Sequence, residues 1–508
     1  MDARDGARAA RGGLVALLTG LLVAFAALLA YQPVLANFFH PIDDPLVIWC
    51  ADRGEDPTPH FRPLYLVWNA LLLAIFGTVP FGWYATGLLV HVASALAIAH
   101  LAWRVAASRI QAAAAGLAFA VFYSPHEAVL WVSANCGLLA VLAVLLAGTA
   151  WFVVVDPAAG PPGRRRLTYA LALLALMLAM GFKEDCVLAG PLFLGLHLAR
   201  NGWRSVLRRR SLLLYAVPAA LAVLYLRLAL QPSLWADRLG VGQYRFAPAL
   251  LPELLQSLAW LFWPRRVDAA SWTMASAGVG LAVLAGVALA GIRVRRRFPL
   301  VLLGLGLTIC GLLPVLPGPF AIPGSRYAYP ASIGAALLLA GLFGILWSWR
   351  PGAVWRTALV LAGLAWSTGN GLSIRAVEGW RFDRACARLE RMVESSRPAM
   401  SLPEATVVGP ALFNAHDYML SLALWCGVAD RDLSIEWASA GEELLARLAP
   451  GGDLDPRVHA VFGVQPDGEV VRLGSAGGAL AEQWAAMARD HDERGLGRTV
   501  AVLRRRRP

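Results

Sequence analysis

Long apolar runs alternate with short polar loops along most of the chain. They lie near 14–32, 83–103, 110–124, 129–154, 168–182, 186–199, 211–230, 273–292, 298–316, 328–347 and 354–373. Runs that approach twenty apolar residues are typical of helices that cross a bilayer, because a helix satisfies its own backbone polar groups. The pattern therefore predicts an all-α polytopic membrane protein with about eleven transmembrane helices.

Two shorter apolar stretches and the C-terminal quarter of the chain depart from this pattern. Segments 63–78 and 250–263 are short for a span, so we expect helices that lie in the membrane interface. Beyond the last apolar run the sequence turns to amphipathic stretches, β-rich runs and turn motifs such as PGGD and QPDG. We predict a transmembrane module over 1–374, with a first outward loop at 33–82 that holds an interfacial helix, and a small extracytoplasmic α/β domain over 375–508.

Composition and charge support the membrane class and give it an orientation. The chain is 58% hydrophobic and 15% charged, which excludes a soluble protein of this size, and its net charge is +12. Arginines cluster in alternate short loops, at 104–109, 164–166, 200–210, 293–297 and 350–356. Because arginine-rich loops stay on the cytoplasmic side, we expect the N-terminus inside and the C-terminal domain outside a bacterial cytoplasmic (inner) membrane. No soluble segment interleaves basic and aromatic residues, so we expect the lipid bilayer as a partner and no nucleic acid.

The six cysteines show no metal-ligand spacing. Cys386 and Cys426 both fall in the predicted extracytoplasmic domain, where an oxidising environment allows pairing. The sequence leaves open whether the two pair.

Lys183 is the only lysine of the chain, whose lysines and arginines together number 45. A planar guanidinium does not replace a compact ammonium on a flexible stem, so a retained lysine points to a specific requirement. Lys183 lies in GFKED between two apolar runs, and ionisable groups at a membrane boundary are candidate functional residues. The alternative is a simple helix-end charge pair with Glu184.

Polar clusters gather on the outward side of the predicted topology. They are Asp43 with Asp44, His60 with Arg62, His126 with Glu127, Lys183 with Glu184, and Arg326 with Tyr327. Lys183, Arg62 and Arg326 can neutralise a phosphate or pyrophosphate. The two aspartates can supply a general base, or hold a divalent cation such as Mg²⁺ or Mn²⁺, although the pattern does not require a metal. We expect the pocket to be lined by His60, His126, Glu127, Glu184 and Tyr327.

Each cluster also has a purely structural interpretation. Adjacent aspartates beside prolines usually form a solvated turn. His126 can simply cap a helix, and Arg326 with Tyr327 can anchor a helix at the interface. The functional hypothesis therefore depends on the clusters occurring together on one side.

The order of these motifs resembles the GT-C superfamily of membrane glycosyltransferases. An acidic pair precedes an R-P-L segment (FRPLYLVWNALLLAIFG), a helix with a histidine (GWYATGLLVHVASAL, His91) and an aromatic-rich segment (SPHEAVLWVSAN). A K-E pair (FKEDCVLAGPLF) and an R-Y-x-Y-P segment (SRYAYPASIG) complete the set, over about residues 14–350. The nearest resemblance is to the protein O-mannosyltransferase branch (family 39) and its relatives with tetratricopeptide repeats. The tail lacks such repeats and the first loop is short.

This resemblance implies a glycosyltransferase with a polyprenyl-phosphate sugar donor and catalysis at the extracytoplasmic face. Asp43 or Asp44 would be the base of an inverting displacement, and Lys183, Arg62 and Arg326 would contact the donor phosphate. The acceptor, whether protein, lipid or glycan, stays open.

Three other functions remain as alternatives. A flippase or transporter of a lipid-linked or anionic solute would carry its ionisable residues at the bilayer midplane, in two related halves. An oligosaccharide ligase would move a whole glycan from a lipid pyrophosphate. A noncatalytic assembly protein would use the tail domain to recruit partners.

Overall fold

The fold is described from a computed structural model over most of the helical region and parts of the tail. The described residues are 3–41, 43–55, 62–156, 158, 161–229, 254, 257–258, 261–262, 299–313, 326–349, 352–377, 382–402, 405–410, 421, 424–426, 433–438, 461–464, 470–472 and 500–505. The predicted span near 273–292 lies outside them, as does most of the predicted interfacial segment 250–263.

Helices account for most of the described chain. They are α1 (Ala3–Tyr31), α2 (Asp44–Arg53), α3 (Pro63–Phe76), α4 (Pro80–Ala106), α5 (Arg109–Val121), α6 (Glu127–Leu130), α7 (Asn135–Val155), α8 (Pro162–Phe182), α9 (Ala189–Asn201), α10 (Trp203–Val206), α11 (Arg209–Ala229), α12 (Pro299–Leu312), α13 (Tyr329–Trp349), α14 (Ala353–Val377) and α15 (Asp383–Met400). Short 3₁₀ turns occupy Gln32–Ala36, Val132–Ala134, Glu184–Leu188 and Arg326–Ala328.

Five segments of the described chain are long and apolar enough to cross a membrane. They are Gly12–Ala36, Pro80–Ala106, Val132–Val155, Pro162–Phe182 and Arg326–Trp349. The predicted helical membrane class is confirmed to that extent, and the count of about eleven spans stays a prediction. Many large apolar side chains on α1 and α14 are exposed, as expected of surfaces that face lipid.

The predicted fourth span, 129–154, is not one continuous helix. The short helix α6 ends at Leu130, the backbone of the next residue, Trp131, is extended, and α7 begins only at Asn135 after a 3₁₀ turn. The predicted span 129–154 therefore corresponds to the membrane-length segment Val132–Val155, while Val129 and Leu130 belong to α6. The break leaves the Trp131 ring beside a polar cluster described below.

Close helix packing in this region depends on small residues. Gly304 of α12 and Gly334 of α13 face each other so tightly that an added Cβ would meet backbone atoms of Leu338 or Thr308. Small residues at a contact let two backbones approach, which gains van der Waals energy where lipid offers no hydrophobic driving force. This packing holds α12 against α13, the helix that directly follows the 3₁₀ turn Arg326–Ala328.

The chain divides into two compact units, each described by itself. The first comprises Met1–Val34, Thr58–Tyr65 and Tyr84–Val377, and holds most of the helices. The second comprises Leu35–Pro57, Leu66–Trp83 and Glu378–Pro508, so the first loop is grouped with the tail. The predicted domain boundary at residue 374 stays a prediction.

The tail contains a five-stranded mixed sheet. Its strands are β1 (Ala405–Pro410), β2 (Leu433–Ala438), β3 (Val461–Val464), β4 (Val470–Arg472) and β5 (Val500–Arg505). The order is β2-β5-β1-β3-β4, with β1 and β3 parallel and the other neighbouring strands antiparallel. The amphipathic helix α15 packs on β1 and β4, and buries its apolar face in a core with Val407, Phe462 and Val470.

Cys386 and Cys426, for which the sequence left pairing open, form no disulfide within the described part of the chain. The Cys426 thiol donates to the carbonyl of Val393, at 3.6 Å.

Candidate functional site

Arg62 and Glu184 form a bidentate ion pair in the first unit. Nη2 of Arg62 lies 2.6 and 2.8 Å from the two carboxylate oxygens of Glu184, and Nε lies 3.1 Å from one of them. The remaining terminal nitrogen, Nη1, lies 3.9 Å from the sulfur of Cys136. A fork that grips a carboxylate in this way fixes both partners in one geometry. Arg62, predicted as a phosphate contact, therefore also orients Glu184.

Lys183 lies directly before Glu184, where α8 ends. Its backbone is extended, which breaks the helix there, while its N–H still donates to the carbonyl of Ala179. The residue is only 6% exposed, and its ammonium lies 5.3 Å from the centre of the Tyr327 ring. An ammonium over an aromatic face is attracted by the ring quadrupole. A buried cation held this way is unlike a snorkelling, solvated helix-end lysine.

Arg326 is held over two aromatic rings at the start of α13. Its guanidinium lies 4.2 Å from the centre of the Trp131 ring and 5.4 Å from that of Tyr327. Since Tyr327 also lies beneath Lys183, its ring links the two cations. We call Arg62, Lys183, Glu184, Arg326 and Tyr327 the cationic cluster.

Tight local packing holds the cluster in place. Leu64 packs so closely against Gly181 that a Cβ added to the glycine would lie 2.6 Å from the leucine side chain. The hydroxyl of the buried Tyr65 donates to the carbonyl of Ser133, at 2.9 Å. Arg62 precedes these two anchors, so its chain segment is docked against the ends of α7 and α8.

The charges of the cluster control the ionisation of Glu184. Burial alone would raise the pKa of this carboxyl, but the Arg62 guanidinium and then the Lys183 ammonium outweigh it and lower the pKa. Glu184 is therefore a carboxylate at neutral pH. It offsets part of the positive charge without acting as a proton donor.

His126 and Glu127 lie at the start of α6, which packs beside Arg326–Ala328. The His126 ring is buried and stacks on Tyr123, with ring centres 4.8 Å apart. Its Nδ1 lies 2.6 Å from the Tyr123 carbonyl, which can only accept, so Nδ1 carries a proton. His126 thus supports the turn that leads into α6, and Glu127 is the first residue of that helix.

The two aspartates belong to the second unit and differ from each other. Asp44 is 0% exposed, and its Oδ2 accepts from the backbone N–H of His40 at 2.9 Å. Asp43 caps the start of α2 with φ 67°, a left-handed conformation that is rare for residues other than glycine. Asp43 is partly exposed. The two aspartates therefore have different surroundings.

No group of three or more His, Cys, Asp or Glu in the described part of the chain has the arrangement of a metal site. The divalent cation suggested for Asp43 and Asp44 stays a prediction. His60 lies outside the described residues.

Trp131 and Gly181 are site residues that our sequence analysis did not single out. Trp131 lay within the quoted SPHEAVLWVSAN motif, but only its position beneath Arg326 gives it a role. Gly181 precedes Lys183 by two residues, and a glycine at that spacing carries no signal until Leu64 is seen to pack on it.

No protein-family profile matches the chain, and no curated protein sequence matches it either. Among solved structures, the apo oligosaccharyltransferase of Archaeoglobus fulgidus is similar with TM-score 0.46 and 14% identity, over 75% of this chain. The chain spans only 58% of the length of that enzyme. ArnT from Cupriavidus metallidurans, bound to undecaprenyl phosphate, gives TM-score 0.45 and 13% identity, over 82% of this chain and 84% of its own. The archaeal enzyme AglB, in complex with an inhibitory peptide and a dolichol-phosphate, gives TM-score 0.41 and 13% identity, over 75% and 58%. At these TM-scores the likeness carries no conclusion about function.

Proposed function

We propose that the protein is a GT-C-type membrane glycosyltransferase that takes a sugar from a polyprenyl-phosphate donor and passes it to an extracytoplasmic acceptor. The observation that carries this proposal is the pair of cations, Lys183 and Arg326, that share the Tyr327 ring beside the end of a spanning helix. A phosphate attached to a lipid has to be bound at such a boundary. A buried ammonium acts as a point charge on phosphate, and a guanidinium can bind it through two parallel hydrogen bonds.

The proposed reaction is an inverting displacement at the anomeric carbon. An acceptor hydroxyl or amine forms the new bond to that carbon while its proton passes to an aspartate. The bond from the anomeric carbon to the phosphate oxygen breaks, and its electron pair leaves with the polyprenyl phosphate. Lys183 and Arg326 stabilise the charge that develops on this leaving group, which is where fixed charges lower a barrier most.

Asp43 is the proposed base. Asp43 is a partly exposed residue, whereas Asp44 is fully buried. A general base must reach the proton that it removes. The left-handed backbone of Asp43 supports this assignment, since costly conformations are retained mainly where they serve a site. Asp44 would hold the start of α2 instead.

Transport is the main alternative. A transporter of an anionic solute would present its ionisable side chains near the bilayer midplane, at discontinuous helices. Here Lys183 follows the last residue of α8 and Arg326 precedes the first residue of α13, so both lie at helix ends. That position favours a reaction at the membrane surface over transport through the membrane.

The test is a gene deletion complemented with the wild type or with variants, followed by mass spectrometry of envelope glycans and lipid-linked sugars. The deletion should accumulate an unused polyprenyl-phosphate sugar. Asp43→Asn should fail to restore transfer, because the amide cannot accept the proton, while the protein still reaches the membrane in normal amount. Asp44→Asn tests whether the buried carboxylate of Asp44 is needed for transfer. The double variant, with both aspartates replaced by asparagine, tests for the base whichever aspartate supplies it.

Transfer restored by the double variant would reject the mechanism. Loss of a lipid-linked intermediate from the outer leaflet only, with no accumulated donor, would favour a flippase instead. Accumulation of a complete lipid-pyrophosphate oligosaccharide would point to a ligase.

A further inference from the structure

The first loop is anchored to the tail by aromatic side chains within the second unit. Phe39 is 0% exposed and lies between two tryptophans, with ring centres 6.0 Å from Trp83 and 5.6 Å from Trp425. Trp83 is itself fixed, since its indole N–H donates to the carbonyl of Gly77 at 2.9 Å. Phe39 therefore lies between a tryptophan from the helical part of the chain and one from the tail.

Neighbouring residues extend this contact. Phe38 lies 5.2 Å from Trp425 and packs against the apolar core that α15 shares with the sheet. His40 lies 5.2 Å from the ring of Phe382, a buried residue directly before α15. Three successive loop residues thus each contact an aromatic side chain of the tail. Aromatic pairs contribute beyond the area that they bury.

The anchored segment connects directly to the acidic pair. The backbone N–H of His40 donates to Oδ2 of Asp44, and the carbonyl of Asp43 accepts from the N–H of Val47 at 2.9 Å. Asp44 is the first residue of α2 and Asp43 caps it in a left-handed conformation. Such a backbone persists only where its surroundings over-determine it. The surroundings here include the anchored segment Phe38–His40.

We propose that the C-terminal domain positions the acidic loop, with Trp425 and Phe382 as the positioning residues. They act through Phe39 and His40 on Asp44, and through Asp44 on the backbone that presents Asp43. Neither touches substrate. The expected effect on catalysis rests on the proposed function. The anchoring of the loop by the tail does not depend on that function.

The first experiment measures hydrogen exchange of peptides that cover residues 35–57, in the full-length protein purified in detergent. Trp425→Ala and Phe382→Ala should each increase exchange in this segment by about 10-fold or more, because the aromatic anchor is lost. Trp425→Phe should restore protection, since the indole nitrogen of Trp425 has no hydrogen-bond partner within the described structure. Val407→Ala is the matched control, because it removes volume from the core of the sheet without removing a ring that contacts the loop.

The second experiment separates positioning from folding. In Trp425→Ala, kcat for donor turnover should fall about 10-fold to 100-fold while KM for the donor stays within about 2-fold, as expected when a reacting group is misplaced. Binding of undecaprenyl phosphate, used as the probe, should be unchanged. Trp425→Phe should recover most of kcat.

Each outcome decides one point. Unchanged exchange in residues 35–57 of both alanine variants would overturn the positioning role, whatever the protein catalyses. Increased exchange with unchanged kcat would also overturn it, because the loop would then act without its anchor. An equal increase in exchange for Val407→Ala would show that Trp425 only stabilises the fold of the tail and does not position the loop. Failure of the proposed function would appear differently, as a gene deletion that accumulates no polyprenyl-phosphate sugar.

Discussion

The two ends of the helical unit both carry cations, but they hold them in opposite ways. At one end Lys183 is 6% exposed and lies over Tyr327, and Arg326 lies over Trp131 and Tyr327. At the other end the side chain of Arg200 is 42% exposed and pairs with Asp156 at 2.8 Å. The first end has two cations on aromatic rings, of which Lys183 is buried, and the second has a surface ion pair.

This difference separates two uses of positive charge in one membrane protein. An exposed arginine sets orientation by its preference for the cytoplasmic side and needs no fixed geometry. A buried ammonium is costly unless it interacts with aromatic rings, carboxylates or a bound anion, so its retention indicates a specific task. We therefore expect substitutions at the two ends to have very different effects.

The largest expected effect is that of Lys183→Ala. Loss of the ammonium should lower donor turnover by about 100-fold or more, the scale of one lost electrostatic contact in a transition state. Lys183→Arg should retain part of the activity, because the charge stays but its shape changes. Arg200→Ala, at the opposite end, is the control and should change turnover less than about 2-fold, as for an exposed ion pair. Turnover of each purified variant is the measurement, and equal losses at both ends would remove the distinction.

Gly181→Ala should destabilise the protein by about 1–3 kcal/mol, because its Cβ would overlap Leu64 and displace the segment that carries Arg62. Thermal unfolding in detergent measures this. Gly363→Ala on α14, where an added Cβ meets nothing within 4 Å, is the control and should be neutral or slightly stabilising. Matching melting temperatures for the two variants would contradict the close packing.

Glu184→Gln should lower the free energy of unfolding by about 1–2 kcal/mol at neutral pH, because it removes a charge-assisted hydrogen bond. The value is at the low end for such a bond because the Glu184 side chain is 44% exposed. The pKa of Glu184 is lowered in the folded protein, so its carboxylate stabilises the fold fully at pH values above 4.5, the ordinary pKa of a glutamate. That stabilisation is lost as the pH falls from 4.5 toward the lowered pKa. The wild type should thus lose its advantage over the variant only in acid, as measured by unfolding at a series of pH values.

A double-mutant cycle with Arg62→Ala checks the same pair. The coupling between Arg62 and Glu184 should be favourable at pH 7 and should shrink below pH 4.5. Coupling that does not depend on pH would show that the charges are not the cause.

Trp131→Ala should have the smallest effect, a loss of turnover of about 3-fold to 30-fold, since one cation–π contact contributes about 0.5–2 kcal/mol. Trp131→Phe should retain more than the alanine variant because a ring remains beneath Arg326. The control is turnover of variants that also carry Arg326→Ala. In that background neither substitution of Trp131 should lower turnover further. Additive losses in that background would show that Trp131 acts elsewhere.

The amino-acid sequence predicts the structure best where the physics is local. Apolar runs located helices to within a few residues, as for α4 and α13, because a bilayer leaves a backbone few alternatives to a helix. The extended backbone at Trp131, between α6 and α7, could not be read from the sequence, since no proline or glycine marks it.

The sequence by itself determined that this protein is a helical membrane protein, and it singled out Lys183 as its only lysine. Only the tertiary structure decided that Arg62 grips Glu184, 122 residues away, and that Tyr327 lies under Lys183. It also decided that Trp425 of the tail lies beside Phe39, in the loop that leads to Asp43 and Asp44. Helix formation in lipid follows from composition along a short stretch, whereas partners at helix ends depend on how distant segments converge, which no short stretch records.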